Sequence, residues 1–306
     1  MFEKIVVVTR KTRLEGLIER FNSRAQAKFY LEHSGGDFSD YEREDAAYRR
    51  AVETVRRTLD VGLKIQTVDR SLVPTMIFTG ADLIVAVGQD GLVANTAKYV
   101  GGQPIVAVNP DPERFDGILL RFSPGQARAA VLSLLEGRAR IRKVTLAEAA
   151  LDDGQRLLGF NDLFIGQRTH VSARYRIAFG GTSEPHSSSG VLVSTGAGST
   201  GWLSSVFAMS GAVARFGGGQ AGRAVRLEWE DPRLVFVVRE PYVSRHSRAG
   251  IAAGMIEGEG ELVIESQMPS GGVIFSDGVE ADALEFNSGA RARIRAAAQK
   301  THLVAD

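Results

Sequence analysis

Two glycines bracket a single carboxylate in Gly88-Gln89-Asp90-Gly91, directly after the unbroken apolar run Leu83-Ile84-Val85-Ala86-Val87. Gly88 and Gly91 carry no Cβ, so a bulky anion can approach the backbone there and meet its N–H groups. A carboxylate beside a phosphate is unfavourable unless a cation bridges the two or the carboxylate takes a proton from an attacking hydroxyl. Asp90 is therefore a candidate general base. The competing reading is an ordinary turn with a solvated Asp, which short glycine motifs produce often.

A second group lies in Gly190-Val191-Leu192-Val193-Ser194-Thr195-Gly196-Ala197-Gly198-Ser199-Thr200-Gly201. Gly196, Gly198 and Gly201 satisfy the G-x-G-x-x-G pattern, and Trp202 to Phe216 reads as a following helix. The dinucleotide fingerprint also needs an acidic residue about 20 positions on. No Asp or Glu occurs between Gly201 and Leu227, which argues against a dehydrogenase. A glycine loop opening a helix can still bind phosphate or ribose through its N–H groups, and Thr195, Ser199 and Thr200 add hydroxyls. Asn161-Asp162 forms a third group: an amide and a carboxylate suit the two hydroxyls of a ribose, but the pair is also a good turn into a strand. Arg10, Lys11 and Arg13 either meet a phosphate or start a solvated helix. The five histidines, at 33, 170, 186, 246 and 302, lack metal-ligand spacing. No serine sits in a G-x-S-x-G elbow, so serine-hydrolase chemistry has no support. Trp202 and Tyr242 read as core or interface aromatics.

These residues need elements to hold them. Ile5 to Thr9 reads as a strand, followed by a helix with Leu14, Leu17, Ile18 and Phe21 on one face. Tyr41 to Leu59 repeats Ala47, Ala51, Val55 and Leu59 every four residues, as a helix does. Leu63 to Val68 and Pro104 to Asn109 are further strands, and Asn95 to Val100 a further helix. Alternating strands and helices imply a parallel sheet, with ligands at the carboxyl ends of its strands. Pro124-Gly125 and a helix over Gln126 to Leu135 make the connection onward. After about residue 140 strand-like runs follow one another directly: Arg140 to Leu146, Gln155 to Leu158, Asp162 to Ile165, Ala173 to Phe179, Gly190 to Ser194, Leu234 to Val238, Glu261 to Glu265, Val273 to Phe275 and Ala292 to Arg295. That texture is antiparallel and β-rich.

Bulk properties exclude several classes. At 306 residues the chain suits one large or two ordinary domains. A net charge of +1 leaves no electrostatic footprint for nucleic acid or an anionic membrane. The absence of cysteine removes disulfides, thiolate metal sites and thiol nucleophiles. The run Ile5 to Val8 is too short for a signal-peptide core, and no apolar stretch approaches the roughly 18 residues of a membrane span. A cytoplasmic protein is expected, with no nucleic-acid or membrane partner.

Taken in order, Gly88-Gln89-Asp90-Gly91, Asn161-Asp162 and Ser194-Thr195-Gly196-Ala197-Gly198-Ser199-Thr200 resemble the three motifs of the NAD kinase family. That family has Gly-Gly-Asp-Gly, Asn-Glu and a Thr-x-x-Gly-Ser-Thr loop. The stretches Val106 to Arg114, Asn161 to Gly166, Ser188 to Gly190, Val238 to Pro241 and Leu284 to Asn287 look closest to its mitochondrial-type branch, so the likeness spans nearly the whole chain. The resemblance implies an α/β N-terminal domain with a parallel sheet, 1–125, and a β-rich C-terminal domain, 126–306. The extreme C-terminus would pack back on the first domain, and the active site would lie between the two.

It further implies transfer of the γ-phosphoryl of ATP to the adenosine 2′-hydroxyl of NAD, giving NADP. Asp90 would deprotonate the hydroxyl, Gly88 and Gly91 would admit the phosphates with Mg2+, and Asn109 would join the nucleotide-binding set. Asn161 and Asp162 would hold the ribose, while Thr195, Gly198, Ser199 and Thr200 would line the adenosine pocket. A homodimer or homotetramer is implied as well. The chain departs from the pattern at Gln89, in place of the second glycine, at Leu92, in place of Thr, and at Asp162, in place of Glu. A side chain at position 89 would obstruct a phosphate, or strain the loop if a positive φ were needed. Two alternatives follow: a nucleotide-binding sensor without turnover, or a kinase for another hydroxyl acceptor.

Overall fold

The computed structural model describes residues 2–305 and divides into two compact units. One runs to Arg142 and resumes at Thr301; the other is Lys143–Lys300.

The first unit is built on strands β1 (Lys4–Thr9), β2 (Lys64–Asp69), β3 (Asp82–Val87) and β4 (Pro104–Val108), in the order β2-β1-β3-β4 and all parallel. β3 and β4 are buried throughout, as expected for strands covered on both faces. Helices α1 (Arg13–Phe21), α2 (Arg24–His33) and α3 (Phe38–Thr58) lie between β1 and β2 in the chain. The start of α1 is legible in Thr12-Arg13-Leu14-Glu15: Thr12 Oγ1 accepts from Glu15 N–H at 3.2 Å and Glu15 Oε2 from Thr12 N–H at 2.9 Å, a reciprocal capping box. On α3 the buried stripe carries Tyr48 rather than Ala47, together with Ala51 and Val55.

Helix α4 spans Asp90–Ala97, so it opens on the candidate base and not at Asn95 as expected. Leu92 to Ala97 are all buried, which removes the polar face that makes a surface helix readable in sequence. Helix α5 (Ala127–Leu135) sends Ala127, Ala130, Val131 and Leu134 into the same core as Ile5, Val7, Leu83 and Val106. The division of the chain therefore falls after Arg142 instead of 125.

The second unit contains two antiparallel sheets. The strands are β5 (Arg140–Leu151), β6 (Arg156–Gly159), β7 (Asp162–Gln167), β8 (Ala173–Phe179), β9 (Thr182–Ser188) and β10 (Val191–Ser194). Helix α6 (Trp202–Phe216) follows, and then β11 (Leu234–Val238), β12 (Ala253–Ile256), β13 (Leu262–Ser266), β14 (Gly272–Ser276), β15 (Val279–Glu285) and β16 (Arg291–Ala305). Of the two, one is the antiparallel part, β16-β13-β8-β9 with β5 pairing β16 and β6, of the sheet that begins β2-β1-β3-β4; the other is a separate sheet, β12-β11-β10-β7-β14-β15. Leu163, Ile165, Val191, Val193 and Phe236 of the second sheet pack in one core with Tyr175, Ile177, Ile264 and Ile294 of the first. On the opposite face of the second sheet, Leu192 and Val235 pack with Leu203 and Val206 of α6.

β9 has no apolar alternation to announce it. Its buried face is Glu184, His186 and Ser188, with His186 Nε2 2.8 Å from Glu184 Oε1 and Ser188 Oγ 2.7 Å from the Tyr175 hydroxyl. The end of β16 returns to the first unit, where His302 and Leu303 pair in parallel with Pro104 and Ile105. Among the described residues no helix is long and apolar enough to cross a membrane.

Candidate functional site

In the first unit the sequence-predicted residues gather at the carboxyl ends of β1, β3 and β4. Strand order reverses between β1 and β3, the place where ligands bind in open parallel sheets. Tyr48 joins those two strand ends: its hydroxyl accepts from Arg10 N–H at 2.8 Å and donates to the Val87 carbonyl at 2.9 Å. Burial pushes its phenol up to about 12, which keeps it neutral and able to make both bonds.

Asp90 occupies the first turn of α4. Its carboxylate accepts from the N–H of Leu119 at 2.8 Å and of Ile118 at 3.2 Å, so a loop 28 and 29 residues further on fixes its orientation. An ionised carboxylate offers about four acceptor sites, and two main-chain bonds leave room for a hydroxyl proton.

Gly88 is buried, and a Cβ there would stand 2.6 Å from Leu92 Cδ2. Gly91 differs: a Cβ would meet no protein atom within 4 Å. Gln89 has φ −102° and ψ 168°, extended backbone open to any residue, so the departure at this position strains nothing. Asn109 is buried and fully engaged, donating from Nδ2 to the Phe115 carbonyl at 2.8 Å and accepting on Oδ1 from Asp111 N–H at 3.1 Å. It organises the loop that carries Ile118 and Leu119, and Gly117, at φ +60°, leaves the space its amide fills.

The basic loop after β1 is ion-paired within the same unit. Arg10 meets Glu44 at 2.9 Å, Lys11 meets Glu19 at 2.7 Å, and Arg13 bridges Glu44 and Asp40. Arg114 grips Asp40 through both guanidinium nitrogens, at 3.0 and 2.8 Å, and with Arg13 holds its carboxyl well below the usual range. A cleft of about 1030 Å³ on the β2 side of β1 is lined by Arg10, Lys11, Tyr48, Arg49 and Asp69 among others; neither Gly88 nor Asp90 lines it.

In the second unit Asn161, Asp162, Thr195, Gly198 and Ser199 come together. Thr195 is fully buried, and its hydroxyl donates to the Phe160 carbonyl at 2.6 Å while its N–H donates to the Asn161 carbonyl at 2.9 Å. Ser199 Oγ donates to the Gly196 carbonyl at 2.7 Å and accepts from Leu227 N–H at 3.3 Å. Thr200 is exposed and accepts on its carbonyl from Ser204 Oγ at 2.9 Å.

The glycines of this loop have a packing role. A Cβ on Gly196 would lie 1.8 Å from the Glu228 carbonyl oxygen, and one on Gly198 would lie 2.1 Å from the Asn161 carbonyl oxygen. Backbone against backbone cannot yield as a side chain can. Gly198→Ala is therefore expected to destabilise by about 3 kcal/mol or more, a fall in Tm of roughly 6–12 °C for a unit of this size, measured by thermal melting. An unchanged Tm would show that the loop relaxes freely around residue 198.

Asp162 is 8% exposed, and burial, with the charge of Asp277 beside it, pushes its carboxyl up to about 7. Asp277 is a residue that pattern reading missed. It sits at φ +54°, followed by Gly278 at φ +69°, between the paired Ser276 and Val279. The signal was present: an Asp-Gly two-residue link between apolar strands is a strong hairpin mark, because both positions need positive φ.

Relatives agree with this architecture. NAD kinase 2, mitochondrial, of Rattus norvegicus is 25% identical over 315 aligned positions, covering 79% of this chain and 74% of that protein. NAD kinase of Saccharolobus solfataricus is 28% identical over 139 positions, 45% of this chain and 53% of that protein. Yeast NADH kinase, solved with NADH, shares the fold with a TM-score of 0.60 at 15% identity, over 100% of this chain and 84% of that one. An NAD kinase from Archaeoglobus fulgidus, solved with ATP, gives 0.56 at 16% identity, over 99% and 93%. No family model matches the chain. A mixed sheet with parallel strands, together with a separate antiparallel sheet, matches the two-domain fold of those solved kinases. The chain is thus similar in sequence to NAD kinases and shares the fold of solved NAD and NADH kinases; likeness to the mitochondrial-type branch rests on the rat relative.

Proposed function

We infer that the protein is an ATP-dependent NAD kinase, moving the γ-phosphoryl of ATP to the adenosine 2′-hydroxyl of NAD. The observation that carries this reading is the placement of Asp90: a carboxylate oriented by two N–H groups, at the β1/β3 reversal, beside a glycine that faces open space. In this reading Asp90 accepts the 2′-hydroxyl proton as the oxygen forms its bond to the γ-phosphorus. The bridging P–O bond breaks, ADP departs, and Asp90 passes its proton to solvent. Asn161 and Asp162 hold the ribose hydroxyls, Asn109 shapes the loop that orients Asp90, and Thr195, Gly198, Ser199 and Thr200 form the wall for adenosine.

Phosphoryl transfer asks mainly for positioning and charge neutralisation. Among the described residues no group of three His, Asp or Glu could hold a metal ion. A divalent cation such as Mg2+ would therefore arrive on the triphosphate, the usual manner for an ion that keeps phosphate and water ligands; bound there, it would neutralise the developing phosphate charge. The rat and archaeal relatives named as NAD kinases, and the neighbours solved with NADH and with ATP, support the same substrates. Assembly as a homodimer or homotetramer belongs to the same proposal.

The deciding experiment is an assay of purified protein for NADP and NADPH formation from NAD and NADH, with ATP and polyphosphate as donors. Phosphorylation of NAD by ATP is expected; phosphorylation of another hydroxyl acceptor with NAD ignored would overturn the reading. Gly91→Ala sharpens the test. Ala in place of Gly inside a helix adds up to about 1 kcal/mol of stability, and at position 91 no protein atom opposes it. A raised Tm together with a KM for ATP at least tenfold higher is expected. Stability gained with unchanged kinetics would mean that phosphate does not use that space.

A further inference from the structure

The turn after β14 carries no role in the transfer described above, yet it is bound to the segment that would take the ribose. Asp277 accepts from three successive main-chain N–H groups: Phe160 at 2.9 Å, Asn161 at 2.6 Å and Asp162 at 3.4 Å. Its own N–H donates to the Asp162 carbonyl at 3.2 Å. From the other side, Thr195 binds the carbonyls of Phe160 and Asn161. The main chain of 160–162 is thus held between a carboxylate on its N–H groups and a hydroxyl on its carbonyls, while the side-chain amide of Asn161 makes no hydrogen bond among the described residues.

We propose that Asp277 is a positioning residue for the dinucleotide: it clamps Phe160, Asn161 and Asp162 so that the Asn161 amide and the Asp162 carboxylate face the two hydroxyls of one ribose. This rests on the reading of Asn161 and Asp162 as the ribose-binding pair. The clamp has an electrostatic consequence. Asp162 is buried, and Asp277 is the charged group that acts on it among the described residues, raising its carboxyl further. The strands paired on either side add no other: β10 places Ser194 opposite it, β14 carries no charged residue, and the loop after β10 adds only the neutral residues Thr195 to Thr200. A ribose hydroxyl donates to the ionised form of Asp162, so substrate affinity rises with pH through about 7.

Two variants test the clamp. Asp277→Asn keeps a residue that tolerates positive φ before Gly278, and Asn-Gly is as good a two-residue hairpin link as Asp-Gly. It removes the charge and one of the two acceptor oxygens. Asp277→Gly keeps the turn and removes the carboxylate entirely. For both, KM for NAD is expected to rise roughly ten- to a hundredfold with kcat within about threefold, since misplacement of binding groups acts on substrate binding first. In Asp277→Asn the acid limb of kcat/KM is also expected to move to lower pH, because Asp162 loses its like-charged neighbour.

A folded variant with unchanged KM and an unmoved pH profile would overturn the proposal. So would a loss of activity that merely tracks the folded fraction. Wild-type protein that forms no NADP would instead overturn the underlying ribose reading, and the clamp with it; an active wild type beside an indifferent variant overturns the clamp alone.

Discussion

If Asp90 is the general base proposed, Asp90→Asn is expected to lower kcat for NADP formation by about two to four orders of magnitude, with KM for NAD little changed. The amide keeps one acceptor oxygen for the loop carrying Ile118 and Leu119 and turns a donor toward the other N–H. That mismatch costs about 1–2 kcal/mol, a few degrees in Tm, and leaves the fold intact. Steady-state kinetics with a thermal melt on the same preparation separate the two effects. Asp90→Ala, which abandons both loop bonds, should be less stable than Asp90→Asn but no less active. Turnover that survives in Asp90→Asn would show that the hydroxyl proton leaves by another route.

Asp162→Asn is expected to stabilise the protein and impair it together. An Asp whose folded carboxyl sits at about 7, against roughly 3.9 in the unfolded chain, contributes fully only while protonated. That contribution is present below about pH 4 and is lost as pH rises through 7. At pH 8 the wild type keeps a buried charge facing Asp277, whereas Asn at 162 carries none. The variant should gain on the order of a few kcal/mol at pH 8, with the two Tm curves converging near pH 4. Its affinity for NAD should fall at least tenfold, because an amide cannot replace an ionised acceptor for a ribose hydroxyl. Parallel Tm curves from pH 4 to 8 would show that Asp162 is solvated and ordinary. Groups that cost stability where they stand are a common mark of binding sites.

Much of this was legible in the chain. The apolar run ending at Val87 had to be a doubly covered strand, and the one-face spacing of Leu14, Leu17, Ile18 and Phe21 announced α1. What stayed hidden did so for physical reasons. α4 is buried all round Leu92 to Ala97, so no amphipathic period marks it. β9 buries Glu184, His186 and Ser188 instead of aliphatic residues, and a buried polar face leaves no hydropathy signal. Gly196 and Gly198 matched a dinucleotide fingerprint, but their missing side chains make room for the carbonyls of Glu228 and Asn161. The candidate site was read as motifs, each carried by its own few residues. The contacts that orient those residues come from far along the chain, Leu119 for Asp90 and Asp277 for Asp162, and sequence distance conceals such partners.

The last turn of the chain back to β4 bears on how the protein is made. On the ribosome, the sheet of the first unit emerges early, but the partner for the start of β4 begins at His302, 194 residues after Val108. Phe122 already bridges Val108, so the part that waits is the start of β4 at Pro104 and Ile105, for roughly 10–40 s at about 5–20 residues per second. The first-translated unit thus gains one of its strands late, and a nascent chain that has not reached His302 would present a short β-edge at Pro104 and Ile105 to chaperones or to other strands.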